Sequence, residues 1–279
     1  GGSIAVANHV APFTDDVALF TGIGSNSSGE TYEKFIRNKL MPNVTPNFFS
    51  FENAQTIVKE RFIDDELRKF FEVYFSEEDP QASDQEELDA CEWLKINIPK
   101  YDIVIVADYG NGFITDSMAK IISDKSKFLA INTQINSGNR GYHVVNRYDR
   151  ADFVSLNEPE LRLASHNRFN SIEELTKNLS EKLKTKFISI TQGPKGLYTY
   201  NANSDSSFRV PALSSKVVDR VGAGDAFLSL SAICLGGGVE DSVSVFVGAA
   251  AAAIDVQIIG NRDTVDSVDL EKYFTALLK

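Results

Sequence analysis

Ile103-Val104-Ile105-Val106-Ala107-Asp108-Tyr109-Gly110-Asn111-Gly112 decides how this chain folds. Four β-branched residues in a row favour a strand. A short, unbroken apolar run fits a strand covered on both faces, as in parallel sheets. The polar, glycine-containing turn that follows ends it. The same pattern recurs outward at Phe128-Leu129-Ala130-Ile131, Phe153-Val154-Ser155-Leu156 and Phe187-Ile188-Ser189-Ile190. A helix candidate follows each run. This alternation predicts an α/β doubly wound, mostly parallel sheet with helices on both faces. Ligands bind such sheets beyond the carboxyl ends of the strands. Asp108, Asn132, Asn157 and Thr191 are the first polar residues after the four runs.

The stretch from Ser50 to Phe75 differs. Thr56–Ile63 and Phe70–Phe75 predict an antiparallel ribbon around an acidic turn at Asp64-Asp65. Ser76 to Gln85 is an acidic loop. Ser83 and Glu86 have capping-box spacing and open a helix through Trp93 and Leu94, which Pro99 stops.

The bulk numbers bound the function. At 279 residues, 43% hydrophobic, the chain can bury the core of one large α/β domain. A net charge of -11 argues against nucleic-acid binding, which needs a basic face. It leaves room for a small anion held by a few local donors. Cys91 and Cys234 sit in apolar stretches and are expected to be buried thiols. Two Cys and three scattered His argue against zinc. Val245 to Ile254 is too short to span a bilayer, so the cytoplasm is the default location. The chain opens Gly1-Gly2-Ser3 without Met, and its motifs start at once, as in a piece of a longer polypeptide.

Gly222-Ala223-Gly224-Asp225, followed by Ala226-Phe227-Leu228, is the strongest motif. A helix starting here would aim free N–H groups at an anion, beside a carboxylate able to take a proton. Taken alone, a glycine turn with Asp225 as N-cap explains it equally well. Asn157 and Glu160 lie three residues apart after a strand, a spacing that suits Mg²⁺ through water. An acidic first helical turn is the plainer explanation. Thr191-Gln192-Gly193-Pro194-Lys195-Gly196 offers a hydroxyl and two glycines to a nucleotide, or is a hairpin loop. Gly1-Gly2 ahead of Asn8 would let a sugar reach the backbone, or is a simple turn. Asp108 and Asn111 suit a polar cleft or a tight turn. Lys59 and Arg61 on the ribbon could meet a substrate phosphate or guard a sheet edge. His143 and His166 are expected at the surface. No Walker-type P-loop occurs.

In this order, the motifs resemble the ribokinase-like (PfkB-type) carbohydrate kinases over nearly the whole chain. The resemblance implies a single sugar-kinase domain over residues 1–279 with a small β lid at about residues 50–76. It implies ATP at Thr191, Gly193 and Gly196, Mg²⁺ organised by Asn157 and Glu160, and a monovalent cation such as K⁺ at Asp219. Asp225 would be the catalytic base, with Gly222, Ala223 and Gly224 as the anion hole. The sugar or sugar phosphate would meet Gly1, Gly2, Asn8, Lys59, Arg61, Asp108 and Asn111, under a lid that also serves as a homodimer clasp. The resemblance is strongest to the kinase half of bifunctional heptose-phosphate kinase/nucleotidyltransferases, which implies a fused nucleotidyltransferase and a first strand lying upstream of Gly1. Ala5, Asn132, Gln134 and Ala249 depart from that pattern. They motivate a rival: a non-catalytic sugar- or nucleotide-binding domain that regulates the fused transferase. A nucleoside or vitamin kinase fits the polar residues less well.

Overall fold

The computed structural model describes residues 1–24, 29–51, 54–64, 69–75, 83–136, 139, 142–214 and 216–279. In chain order the elements are α1 (Gly2–Val10), β1 (Val17–Gly24), α2 (Gly29–Arg37), β2 (Val44–Phe51), β3 (Val58–Ile63), β4 (Lys69–Phe75), α3 (Asp84–Asn97) and β5 (Ile103–Asp108). There follow α4 (Asp116–Lys125), β6 (Phe128–Thr133), β7 (Phe153–Asn157), α5 (Glu158–Ala164), α6 (Ile172–Leu183) and β8 (Phe187–Thr191). The chain closes with β9 (Leu197–Asn201), β10 (Ser206–Val210), α7 (Ala223–Gly236), α8 (Asp241–Asp255) and α9 (Ser267–Leu277).

The four apolar runs are β5, β6, β7 and β8, neighbouring and parallel in a six-stranded sheet of order β10-β9-β8-β7-β6-β5. The sheet turns antiparallel at β8–β9 and stays so at β9–β10. Alternation along each strand divides the core in two. Leu129, Ile131, Val154 and Leu156 meet Leu94, Met118, Leu161 and Leu179 on the face covered by α3 to α6. Ala130 and Phe153 point the other way, to Phe227, Leu228 and Val245 of α7 and α8. Helices on both faces follow from strands that are apolar on both.

Two smaller sheets flank this one. β1 and β2 are parallel, with Val17 opposite Val44. Neither was marked by a β-branched run, because Gly22, Gly24, Pro46 and Asn47 dilute the pattern. Among the described residues no third strand pairs with β1 or with the outer edge of β5. Both edges line one cavity. β3 and β4 form the expected antiparallel ribbon, Val58 opposite Phe75. Its turn residue Asp65 and the acidic residues 76–82 lie outside the described residues. The Ser83–Glu86 capping box forms, with Glu86 Oε2 accepting from Ser83 N at 2.7 Å, and Pro99 falls in a 3₁₀ turn that ends α3.

α7 and α8 pack closely because Gly248 has no side chain. A Cβ there would lie 2.0 Å from Ser231 Oγ and 2.9 Å from Phe227 O. Gly248→Ala is therefore expected to destabilise the fold by about 1–3 kcal/mol despite its better helix propensity. Adding Ser231→Ala should recover part of the loss, because it removes the nearest clash and a buried hydroxyl without a partner. Urea denaturation of the single and double variants checks this.

Candidate active site

The site begins where α7 begins. Gly222 is the N-cap, with φ 103° and no side-chain cap. A side chain at that φ would be strained, and its Cβ would meet Asn261 Oδ1 at 2.1 Å. The first-turn N–H groups are thus left to a ligand. A Cβ on Gly224 would touch nothing, so this side is open. Asp225 lies within the first turn, and the cap is Gly222, not Asp225.

Tyr109 Oη donates to Asp225 Oδ1 at 2.8 Å. Burial raises the Asp225 carboxyl above the usual range, and the Tyr109 hydrogen bond and nearby His9 oppose that rise. The Tyr109 phenol is itself pushed well above its ordinary value, first by burial and then by the charge of Asp225.

After β7, Asn157 and Glu160 form a reciprocal capping box. Asn157 Oδ1 accepts from Glu160 N at 2.9 Å, and Glu160 Oε2 accepts from Asn157 N at 2.8 Å. The plainer reading of this motif is therefore correct as local geometry, yet both residues also line the cavity. Glu160 is 4% exposed. Burial lifts its carboxyl to about 7, against hydrogen bonds from Asn157 and Ile135. A buried carboxylate that no cationic side chain among the described residues pairs with suits a divalent ion held directly or through water.

Thr191 ends β8, and Gly193 and Gly196 turn the chain into antiparallel β9. This is a hairpin loop, and it too lines the cavity. Gly196 has φ 83°, and a Cβ there would meet Val210 O at 2.0 Å. The cavity measures about 3020 Å³. It gathers every candidate residue from the motifs except Asp219.

The acceptor-side residues divide. A Cβ on Gly1 would meet nothing, whereas one on Gly2 would lie 1.6 Å from Tyr109 Oη. Asn8 spends its amide on Lys39 O and Met41 N. Burial lowers the Lys59 ammonium, with Glu72, Arg61 and Asp225 among its charged neighbours. Arg61 Nε donates to Glu72 Oε2 at 2.5 Å. Asp108 is buried and its oxygens meet Tyr148 Oη at 2.7 Å, His143 Nε2 at 3.0 Å, Arg147 Nη1 at 3.3 Å and Gly110 N at 3.2 Å. Burial would raise its carboxyl, but His143, Tyr148 and Arg147 outweigh that and hold it below the usual range. His143 is therefore an inner residue, not the surface histidine expected from its polar surroundings.

Asp219 accepts from Val221 N and Gly260 N, both at 3.0 Å, and ties the α7 approach to the loop after α8. Each oxygen keeps a lone pair for a monovalent cation. Asn132 Nδ2 donates to Ser155 O at 2.8 Å, and the Gln134 N–H to Asp108 O at 2.8 Å. Sequence reasoning missed Tyr109, and also His9 and Asp255. The latter are wholly buried, 3.5 Å apart, with both Asp255 oxygens lacking a hydrogen bond. The only signal for Tyr109 was its place directly after β5.

An α/β sheet whose strand ends present an uncapped helix N-terminus beside a carboxylate belongs to the class of folds that bind anions at that end. Residues 1–267 match the pfkB family carbohydrate kinase model, so the chain belongs to that family and is a carbohydrate kinase. It is 27% identical over 277 residues to the bifunctional protein HldE of Haemophilus influenzae (strain PittEE), covering 97% of this chain and 54% of that one. It is 29% identical over 202 residues to the bifunctional protein HldE of Desulfatibacillum aliphaticivorans, covering 70% and 40%. The chain thus spans about half the length of the curated relatives it matches. Phosphofructokinase-2 from Escherichia coli in complex with potassium superposes with a TM-score of 0.79 at 15% identity, covering 100% of this chain and 88% of the other. Ribokinase from Thermotoga maritima gives 0.72 at 16%, covering 98% and 86%. At these identities the structures establish the fold alone. No helix among the described residues is long and apolar enough to cross a membrane.

Glu160 makes stability depend on pH. Its folded value of about 7 exceeds its ordinary 4.5, so its contribution is fully present below about 4.5 and is lost as pH rises to about 7. Between pH 5 and pH 7 the loss should be about 2 kcal/mol. In Glu160→Gln this fall should vanish, as read by urea denaturation at pH 5 and pH 7 without divalent metal.

Proposed function

We propose that this domain transfers the γ-phosphoryl group of ATP to a hydroxyl of a sugar phosphate, with Asp225 as base. The observation that carries this is the pairing of Asp225 with an uncapped, glycine-led helix N-terminus in its own first turn. The acceptor hydroxyl gives its proton to Asp225 as it attacks in line. First-turn N–H groups from Ala223 and Gly224 stabilise charge on the transferring group. Mg²⁺, when bound, neutralises phosphate charge, and Glu160 with Asn157 is placed to orient it. Thr191, Gly193 and Gly196 line the nucleotide side. Asp219 serves a monovalent cation. Lys59 and Arg61 favour a phosphorylated over a neutral sugar. With ATP as donor, the reaction belongs in the cytoplasm.

The ribbon of β3 and β4 serves as lid and homodimer clasp. Its exposed aromatics support this, with Phe70 71% and Phe71 54% exposed. A nucleotidyltransferase is the expected partner domain, since the curated relatives are bifunctional proteins. The altered Ala5, Asn132, Gln134 and Ala249 favour an acceptor unlike heptose 7-phosphate.

Asp225→Asn should lower phosphoryl transfer roughly a thousandfold while leaving ATP binding intact. Coupled ADP release with a panel of sugars and sugar phosphates measures this. Near-normal turnover in the variant would sink the mechanism. Binding without turnover in the unaltered protein would favour the regulatory alternative. Phe70→Asp should halve the mass of any dimer in light scattering.

A further inference from the structure

We infer that Tyr109 is a positioning residue that holds one oxygen of Asp225 and keeps water off it until the acceptor hydroxyl arrives at the other. This rests on the phosphoryl-transfer function proposed above. The geometry is specific. Tyr109 Oη reaches Asp225 Oδ1 at 2.8 Å across 116 residues of chain, and Oδ2 has no protein donor among the described residues.

The backbone that carries the phenol is held at and around Tyr109. Its backbone carbonyl accepts from Asn136 Nδ2 at 2.9 Å and Asn139 Nδ2 at 3.0 Å. The next residue, Gly110, has φ 64°, and a Cβ there would lie 2.0 Å from Asn139 Nδ2. The preceding residue is the fully engaged Asp108. Gly2 then leaves the space that the phenol fills, since any Cβ would sit 1.6 Å from its oxygen. The second glycine of the opening pair is thus accounted for by Tyr109, while the first stays open.

A hydroxyl that donates to the base occupies the place a water would take. Water bound there would lose its proton to Asp225 and attack the γ-phosphorus, releasing ADP and phosphate. The Tyr109 phenol is pushed well above its ordinary value, so it keeps its proton and can donate to Asp225 throughout the working range. Asp225 is also faced by His9 from α1, by Asp255 from α8, by Lys59 from β3 and by Glu160 from α5. These stay constant when only the phenol oxygen is removed.

Tyr109→Phe tests the idea with two readouts. Hydrolysis of ATP without sugar should rise about tenfold relative to transfer, the value of a lost hydrogen bond to a carboxylate. The Asp225 carboxyl, followed by carbon-13 NMR and assigned with Asp225→Asn, should titrate about one pH unit or more higher. Gly2→Ala, which displaces the phenol without removing it, should do the same. An unmoved titration together with a wild-type ratio of hydrolysis to transfer would overturn the inference. Should the unaltered protein phosphorylate no sugar, the proposed function fails, yet the titration still decides whether Tyr109 governs Asp225.

Discussion

Burial of α7 is the constraint on which the rest depends. Phe227 and Leu228 anchor one side of it to the sheet, while Ala226 and Leu230 face the cluster shared with α8 and α9. Ser229 Oγ donates to Asp225 O at 2.7 Å and so joins the core of the helix to its first turn. A helix fixed this way cannot tilt to relieve charge at its start. Its free N–H groups and Asp225 stay aimed at one point, which is the preorganisation that charge stabilisation needs.

Three carboxyl groups then share one cavity under different rules. Asp108 is surrounded by donors and held ionised. Glu160 is lifted by burial to about 7, against hydrogen bonds from the backbone of Asn157 and Ile135 and from the Asn157 side chain. Asp225 is raised by burial and partly restrained by one phenol. Environments that push similar groups apart let each take a separate task. In the function proposed above, Asp108 would serve as scaffold, Glu160 would attract a cation, and Asp225 would accept a proton.

Much of this was legible in the sequence because it depends on local pattern. The β-branched runs gave β5 to β8, and Ser83 with Glu86 gave the start of α3. Glycine at 222 and 224 marked the opening of α7. What was hidden depends on distance along the chain. Nothing near Tyr109 points to Asp225, and nothing near His143 points to Asp108, since polar neighbours in sequence say little about burial. β1 and β2 were hidden for another reason. Their strand character comes from pairing with each other and from packing of Phe20 and Phe49 on Trp93, not from their composition.

Among the described residues the facing edges of β5 and β1 do not pair, and this bears on cooperativity. Without ladder hydrogen bonds between them, the two sheets are joined by α1 against α7 and by the ring cluster of Phe20, Phe49, Trp93 and Phe113. Such a seam divides a domain into units that open at different free energies. Whatever bridges the seam, ligand or strand, does more than fill a space, since it makes two folding units melt as one.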